Sequence, residues 1–330
     1  MRPPAASTHR LPSRKFVWKF PLWIAGGALI LLAIAYLGIG AVAANQLTLP
    51  KRVFNPALNP AAYDLSYEEL SIPARKDQLR ISAWYIPSAE NRRAIVLVHG
   101  RDNSRTNGFV DQFVSFAHRL HDAGFSVLMI DLRGHGTSAD SRYHFGIRER
   151  WDVLGAVDWL KGRGYRGESI GVLGYSLGAA SVIGAAAEEK DIGAIWIDSA
   201  YADIKSVIER SWTKESGLPI AFLYSTQLMT RMLYGYDMSA SRPVDEIGRI
   251  APRPIYMAHC KNDQMIPLGH MTRLLAVAET AQTWIIPVCD QHMLPADIVP
   301  EKYNQHALGY NLHPDEYAQK AIHFFDESLE

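Results

Sequence analysis

The chain is poor in cysteine, in net charge and in metal-ligating clusters. Its 330 residues include two cysteines, Cys260 and Cys289, too few for a disulfide-built scaffold. Lys plus Arg and Asp plus Glu stand at 34 each, so no global basic field would draw the protein to nucleic acid. No His or Cys group has metal-site spacing and no glycine-rich phosphate loop occurs, so neither a metal nor a cofactor is expected. Repeats and low-complexity tracts are also missing. The remaining composition, 48% hydrophobic and 21% charged residues, is ordinary for a globular protein with room for one large domain and extras.

One absence is local: residues 20–50 carry no charged side chain. The apolar stretch 22–44, at about 1.5 Å per residue, is long enough to cross a hydrocarbon core of roughly 30 Å. Arg2, Arg10, Arg14, Lys15 and Lys19 precede it, and Trp18 and Trp23 stand at its entry. The positive-inside bias then keeps residues 1–19 cytoplasmic and exports the rest of the chain beyond the helix. Ala41-Val42-Ala43 resembles a signal-peptidase site, but the run is about twice the usual 7 to 15 residues of a signal peptide. An uncleaved membrane helix over 20–44 is therefore expected. A buried core helix is the poorer reading, because Gly26, Gly27, Gly38 and Gly40 weaken a soluble helix. Residues 45–64, with Pro50, Pro56 and Pro60, read as a linker. Deletion up to about Asn45 should then release an active soluble domain spanning 65–330.

Within that domain, the alternating runs 65–72 and 79–86 read as two antiparallel edge strands. Short unbroken apolar runs come next at 94–98, 126–130, 170–173, 194–197, 255–258 and 284–286, as expected of strands covered on both faces. Amphipathic segments such as 109–123, 148–162 and 268–281 separate them. Eight strands in such alternation predict a mostly parallel α/β sheet with flanking helices. The rhythm stops at about 203–242, where the aromatic, apolar segment 212–236 reads as a small helical cap. Trp212, Phe222, Leu223, Tyr224 and Leu233 there either line an acyl pocket or pack the cap onto the domain, mostly the latter.

The pattern Gly174-Tyr175-Ser176-Leu177-Gly178 sits directly behind the apolar run ending at Leu173. A chain of this length meets G-x-S-x-G by chance roughly one time in ten, so context decides. Here a strand precedes it, and an all-apolar, small-residue segment, 177–187, comes directly after. A strand reversing into a helix within two residues strains the backbone at the serine, and glycines on either side let the two elements cross. Such an elbow exposes the Ser176 hydroxyl. A serine hydroxyl is a poor nucleophile at neutral pH and needs a base held by a third group. Asp263, in the polar turn Lys261-Asn262-Asp263 past a strand end, is the expected acid, with Asp198 and Asp290 as rivals.

These motifs have a family order. His99-Gly100-Arg101, Asp131-Leu132-Arg133-Gly134-His135-Gly136, the elbow, Asp263-Gln264-Met265-Ile266-Pro267, and His306 followed by Tyr310, Pro314 and Tyr317 occur in turn. From residue 65 onward the chain resembles the α/β-hydrolases. Within them it is most similar to membrane-associated bacterial serine hydrolases related to dipeptidyl aminopeptidase-like and Bem46-like proteins. The resemblance implies the α/β-hydrolase fold and a Ser176, Asp263, His306 triad, with oxyanion N–H groups from Leu177 and Arg101. His292 is the rival base, and choosing His306 makes the stretch between them an inserted loop. His99 and His135 fall in motifs that are structural in the family.

The implied activity is hydrolysis of an ester of an apolar small substrate through an acyl-enzyme on Ser176. An aminopeptidase-like activity is the nearest alternative, with Glu188 or Asp203 as candidate anchors for a peptide amine. A catalytically vestigial, membrane-tethered binding protein is the rival from another class. The expected partners are the substrate and, through the N-terminal helix, the lipid bilayer. Cys260 and Cys289 each end a predicted strand, so export would allow them to pair if those strands are neighbours.

Overall fold

A computed structural model describes residues 19–89, 92–294 and 306–330. Among them, eight strands form one sheet: β1 (Glu68–Pro73), β2 (Arg80–Ile86), β3 (Ala94–Val98), β4 (Ser126–Ile130), β5 (Ile170–Tyr175), β6 (Ala194–Asp198), β7 (Ile255–Cys260) and β8 (Gln282–Ile286). Their order is β1-β2-β4-β3-β5-β6-β7-β8. β2 pairs antiparallel with β1 and β4, and every later pairing is parallel. The four central strands β3 to β6 are buried throughout, as their unbroken apolar runs require of strands covered on both faces. This is the α/β-hydrolase fold.

Ten helices occur among the described residues: α1 (Lys19–Thr48), α2 (Gly108–Asp111), α3 (Phe113–Asp122), α4 (Glu149–Gly162), α5 (Leu177–Glu188), α6 (Ile204–Ser216), α7 (Ala221–Tyr234), α8 (Gly269–Leu275), α9 (Gly309–Leu312) and α10 (Pro314–Ser328). α6 and α7 form the cap between β6 and β7. Asp203 caps the first, its carboxylate accepting from the Ser206 N–H at 2.9 Å, and Gly217 ends it in a left-handed turn. Trp212, at 1% exposure, and Leu223, at 2%, hold the cap to the core.

Three expectations change. The segment 109–123 is not one amphipathic helix: Phe109, Val110 and Asp111 have φ of 47°, 49° and 64°, and the regular helix α3 starts at Phe113. Stacking of the Phe109 ring on Tyr175 and Tyr310, with centroids 4.8 and 5.3 Å away, holds this unfavourable backbone.

Second, the apolar helix does not stop near Ala44 but continues to Thr48 and docks on the cap. Tyr36 donates to the Ala221 carbonyl at 2.6 Å, and Gly40 lies so close to Ser225 that an added Cβ would sit 2.6 Å from its Oγ. Ala43 and Ala44 are buried.

Third, the proline-bearing stretch after α1 is a fixed strap rather than a free linker. The Tyr143 N–H donates to the Thr48 carbonyl at 2.9 Å, and Lys51 N–H to the Asp102 carboxylate at 2.7 Å. Arg52 donates to the Gly136 and Ser138 carbonyls at 3.0 and 2.8 Å.

Candidate active site

β5 delivers Ser176 at the crossing of strand and helix. The serine has φ 55° and ψ −119°, a conformation that non-glycine residues hold only where the surroundings over-determine it. Two glycines make the crossing possible. A Cβ on Gly174 would meet the Gly178 backbone at 2.7 Å, and one on Gly178 would meet the Val98 and His99 carbonyl oxygens at 2.4 and 2.6 Å. The Ser176 N–H donates to the Asp198 carbonyl at 2.9 Å, which fixes the elbow to the end of β6.

The Ser176 hydroxyl lies 2.7 Å from His306 Nε2, and His306 Nδ1 lies 2.8 Å from the Asp263 carboxylate. Asp263 Oδ1 accepts from the Met265 and Ile266 N–H groups at 3.0 and 2.8 Å. Burial alone would push this carboxyl up, but the adjacent His306 and the backbone donors outweigh it and hold it below the usual carboxylate range. An ionised Asp263 makes Nδ1 the donor nitrogen, which leaves Nε2 free to accept from the Ser176 hydroxyl. The arrangement can thus take a proton from the serine as its oxygen attacks.

The rival residues lie elsewhere. His292 is exposed, its N–H bonded to the Asp290 carboxylate at 2.9 Å. The stretch read as an inserted loop falls largely on residues 295–305, outside the described residues. Asp198 is fully buried and accepts from Ser199 and Tyr317 hydroxyls at 2.9 and 3.0 Å, with its carboxyl pushed up to about 6 by burial. Tyr317 and Tyr310 belong to the aromatic cluster beneath α9 and α10, and Pro314 opens α10, so the motif after His306 anchors the segment that carries it. Glu188 pairs with Lys76 and Arg150, and Asp203 with Arg273 at 2.6 Å; neither lines the cavity that holds Ser176.

The loop after β3 faces the serine. A Cβ on Gly100 would lie 3.3 Å from that of Ser176, which sets the Gly100–Arg101 peptide beside the elbow. Leu177 is the first residue of α5, so its N–H has no partner inside the helix. His99 and His135 are buried in this loop layer, and desolvation pushes their rings down to about 4 and about 3. His99 accepts from the Leu132 N–H at 3.0 Å and His135 from that of Asp102 at 3.3 Å.

Sequence reasoning missed how this loop is tied down. The Arg101 guanidinium lies 3.8 Å from the neighbouring Asp102 carboxylate and, more closely, 2.9 Å from Glu215 on α6. Asp102 accepts from the Tyr143 hydroxyl and the Lys51 N–H. Such long-range partners leave no periodic trace in a sequence. The cavity around Ser176 and His306 measures about 660 Å³ and is walled by this loop, the left-handed turn at Phe109–Asp111, and Glu215.

Residues 89–272, more than half of the chain, match the Hydrolase_4 family, described as serine aminopeptidase, S33. The chain belongs to this family. The uncharacterized protein YfhR of Escherichia coli is 24% identical over 225 residues, covering 66% of this chain and 71% of that one. Among solved structures, the esterase Pf2001 of Pyrococcus furiosus superposes with a TM-score of 0.66 at 19% identity, over 86% of this chain and 100% of its own. A puromycin-hydrolyzing peptidase of Mycobacterium tuberculosis gives 0.57 at 17% identity, over 81% of this chain and 40% of its own. S33 membership makes this chain a hydrolase, and esterases and peptidases both share its fold.

Proposed function

We propose that this S33 member is a serine hydrolase that cleaves an ester of an apolar substrate through an acyl-enzyme on Ser176. The observation that carries the reading is the unbroken chain of hydrogen bonds from the Ser176 hydroxyl through His306 to Asp263, on a strained elbow. His306 takes the serine proton as the oxygen attacks the ester carbonyl, and Asp263 holds the imidazole tautomer and stabilises the imidazolium. The backbone N–H groups of Leu177 and Arg101 receive the developing oxyanion. His306 then protonates the departing alcohol, and a water activated by the same residue releases the acid.

Ester chemistry is preferred to peptide cleavage because neither acid considered as an anchor for a peptide amine, Glu188 or Asp203, belongs to the Ser176 cavity, and of the carboxylates on its wall Asp102 is taken by Lys51 and Tyr143 and Glu215 by Arg101. The apolar part of α1 is read as a membrane anchor, with residues 1–19 cytoplasmic and the catalytic domain outside the cytoplasm. Its mean hydropathy of 2.3 over an 18-residue window and the five basic residues before it support that orientation.

A fluorophosphonate probe and a panel of p-nitrophenyl esters and aminoacyl anilides test the proposal. Labelling of the wild type but not of Ser176→Ala, with ester turnover exceeding anilide turnover, is the expected result. Anilide cleavage without ester cleavage would establish the peptidase, and absence of labelling would make the site vestigial.

A further inference from the structure

A second cavity, of about 620 Å³, lies against α1. One side is apolar, formed by Ala35, Gly38, Ile39 and Val42 of α1 together with Leu218 of the turn between α6 and α7. The other side is polar and includes Lys51, Arg101, Asp102 and Glu215, which also line the cavity of Ser176. The two spaces therefore adjoin at the Arg101–Glu215 pair. Together they have the layout of an amphiphile site: a long apolar compartment leading to a polar one that contains the reactive serine.

The apolar mouth lies where hydrocarbon is expected. From Leu22 to Ala35, ahead of the Tyr36 hydrogen bond to the cap, α1 offers 14 residues, about 21 Å of helix. A span needs about 20 residues and 30 Å, so the bilayer must also cover the turns from Tyr36 to about Ala41, where α7 lies alongside. α7 runs parallel to α1 there, with Ala221 beside Tyr36, Ser225 beside Gly40 and Tyr234 beside Asn45. Its outward face suits that depth at Ile220 and Tyr224, 51% and 71% exposed, and Leu228 and Met232 continue the same exposed stripe one and two turns beyond it. Gly38 and Ile39, which line the cavity, fall within the same stretch of α1, and Ala35 lies just before it.

We propose that the anchor helix forms one wall of a binding groove for the apolar tail of a membrane-borne amphiphilic ester, which passes from the bilayer between α1 and the cap to Ser176. The inference rests on the ester-hydrolase reading and on α1 lying in the membrane. It makes α1 part of the substrate site and not merely a tether. The tail occupies the apolar compartment, and the ester and its polar group reach the shared neck and the cavity of Ser176.

The test uses the full-length protein in phosphatidylcholine nanodiscs with p-nitrophenyl esters from acetate to octanoate. With kcat/KM referred to the free aqueous ester, each methylene that ends in an apolar groove adds about fourfold whatever its route, so the wild type should favour octanoate over butyrate by at least about tenfold. Gly38→Phe fills the groove: a Cβ at Gly38 meets no atom within 4 Å, so the ring can point into the space without displacing the cap. That preference should then fall below about threefold. Gly27→Phe, equally unobstructed but outside the groove, should keep the wild-type preference. Should Gly38→Phe fail to hydrolyse even acetate, Val42→Trp serves as the second groove-filling variant, with the same expectation. A wild-type chain-length profile in a folded, acetate-hydrolysing groove variant overturns the groove while leaving the esterase reading intact. A wild type that hydrolyses no ester overturns the esterase reading and the groove with it.

Discussion

Gly178→Ala should disable the elbow without touching any side chain of the hydrogen-bonded chain at Ser176. The new Cβ would lie 2.4 Å from the Val98 oxygen and 2.6 Å from the His99 oxygen, both backbone atoms that cannot rotate away. An ordinary carbon–oxygen approach is about 3.3 to 3.6 Å, so α5 must withdraw from β3 by roughly 1 Å. Ser176, two residues upstream, moves with it, and its 2.7 Å hydrogen bond to His306 would stretch beyond about 3.5 Å, outside useful range. A misplacement of about 1 Å costs on the order of 10²-fold in rate. Overpacking of this kind costs about 1 to 3 kcal/mol, from which the helix preference for Ala over Gly returns up to about 1. The net expectation is a loss of about 0 to 3 kcal/mol, with its middle near 1.5. Gly162→Ala, in the last turn of α4 with no atom within 4 Å of its Cβ, should instead be neutral or stabilising by up to about 1 kcal/mol. The rate of fluorophosphonate labelling and urea unfolding read both effects. Wild-type labelling and an unchanged midpoint for Gly178→Ala would refute the account of the elbow.

His306→Ala should lower ester turnover as much as Ser176→Ala does, by several orders of magnitude, because residues acting as a unit fail together. His292→Ala should stay within about threefold of wild type, and the opposite ranking would move the base. Cys260 and Cys289 form a disulfide with Cα atoms 5.7 Å apart, so thiol titration of denatured, unreduced protein should find none. Closing a loop with a sequence separation of 29 should stabilise the fold by about 3 to 4 kcal/mol, which urea unfolding with and without reductant measures. The docking of α1 alters where the chain can be cut. A chain beginning at Tyr36 should stay folded, whereas one beginning at Gln46 loses the Tyr36 hydrogen bond, its ring contact with Phe222 and the buried Ala43 and Ala44. Those contacts amount to roughly 3 kcal/mol, and equal unfolding midpoints for the two chains would contradict the docked reading.

Much of the sheet could be read from the sequence because its signal is local. Unbroken apolar runs such as 94–98 and 126–130 mark strands covered on both faces, and each of the six expected runs lies in a parallel strand of the sheet, although the run 284–286 belongs to the edge strand β8, which is largely exposed. The elbow was legible for the same reason, since the constraint that needs Gly174 and Gly178 acts between residues adjacent in sequence. His306 required more. Its distance from Ser176 along the chain carries no physical signal, and only the spacing to Tyr310, Pro314 and Tyr317 separated it from His292. The buried positions of those aromatics explain why that spacing exists. The left-handed turn at Phe109 to Asp111 left no signal of its own, because nothing local favours it: Tyr175 and Tyr310, far away in sequence, hold it in place.

The docking of α1 on the cap was missed for a physical reason. Apolarity and the absence of charge describe a helix that avoids water, and they do so equally for a face against lipid and a face against protein. Gly40, Ala43 and Ala44 were the only local trace of the second face, since small residues let another backbone approach. In isolation Gly40 only weakens a helix, because the partner that explains it, Ser225 on α7, lies 185 residues downstream. The docked helix and its strap then hold the loop of Arg101. Lys51, three residues beyond the end of α1, donates to Asp102, while Glu215 of the cap holds Arg101 from the other side. The peptide proposed to receive the oxyanion is thus braced by the strap after α1 and by the cap at once. A shift of α1 against α7 would reach that peptide through backbone and ion-pair contacts before it reached Ser176, His306 or Asp263.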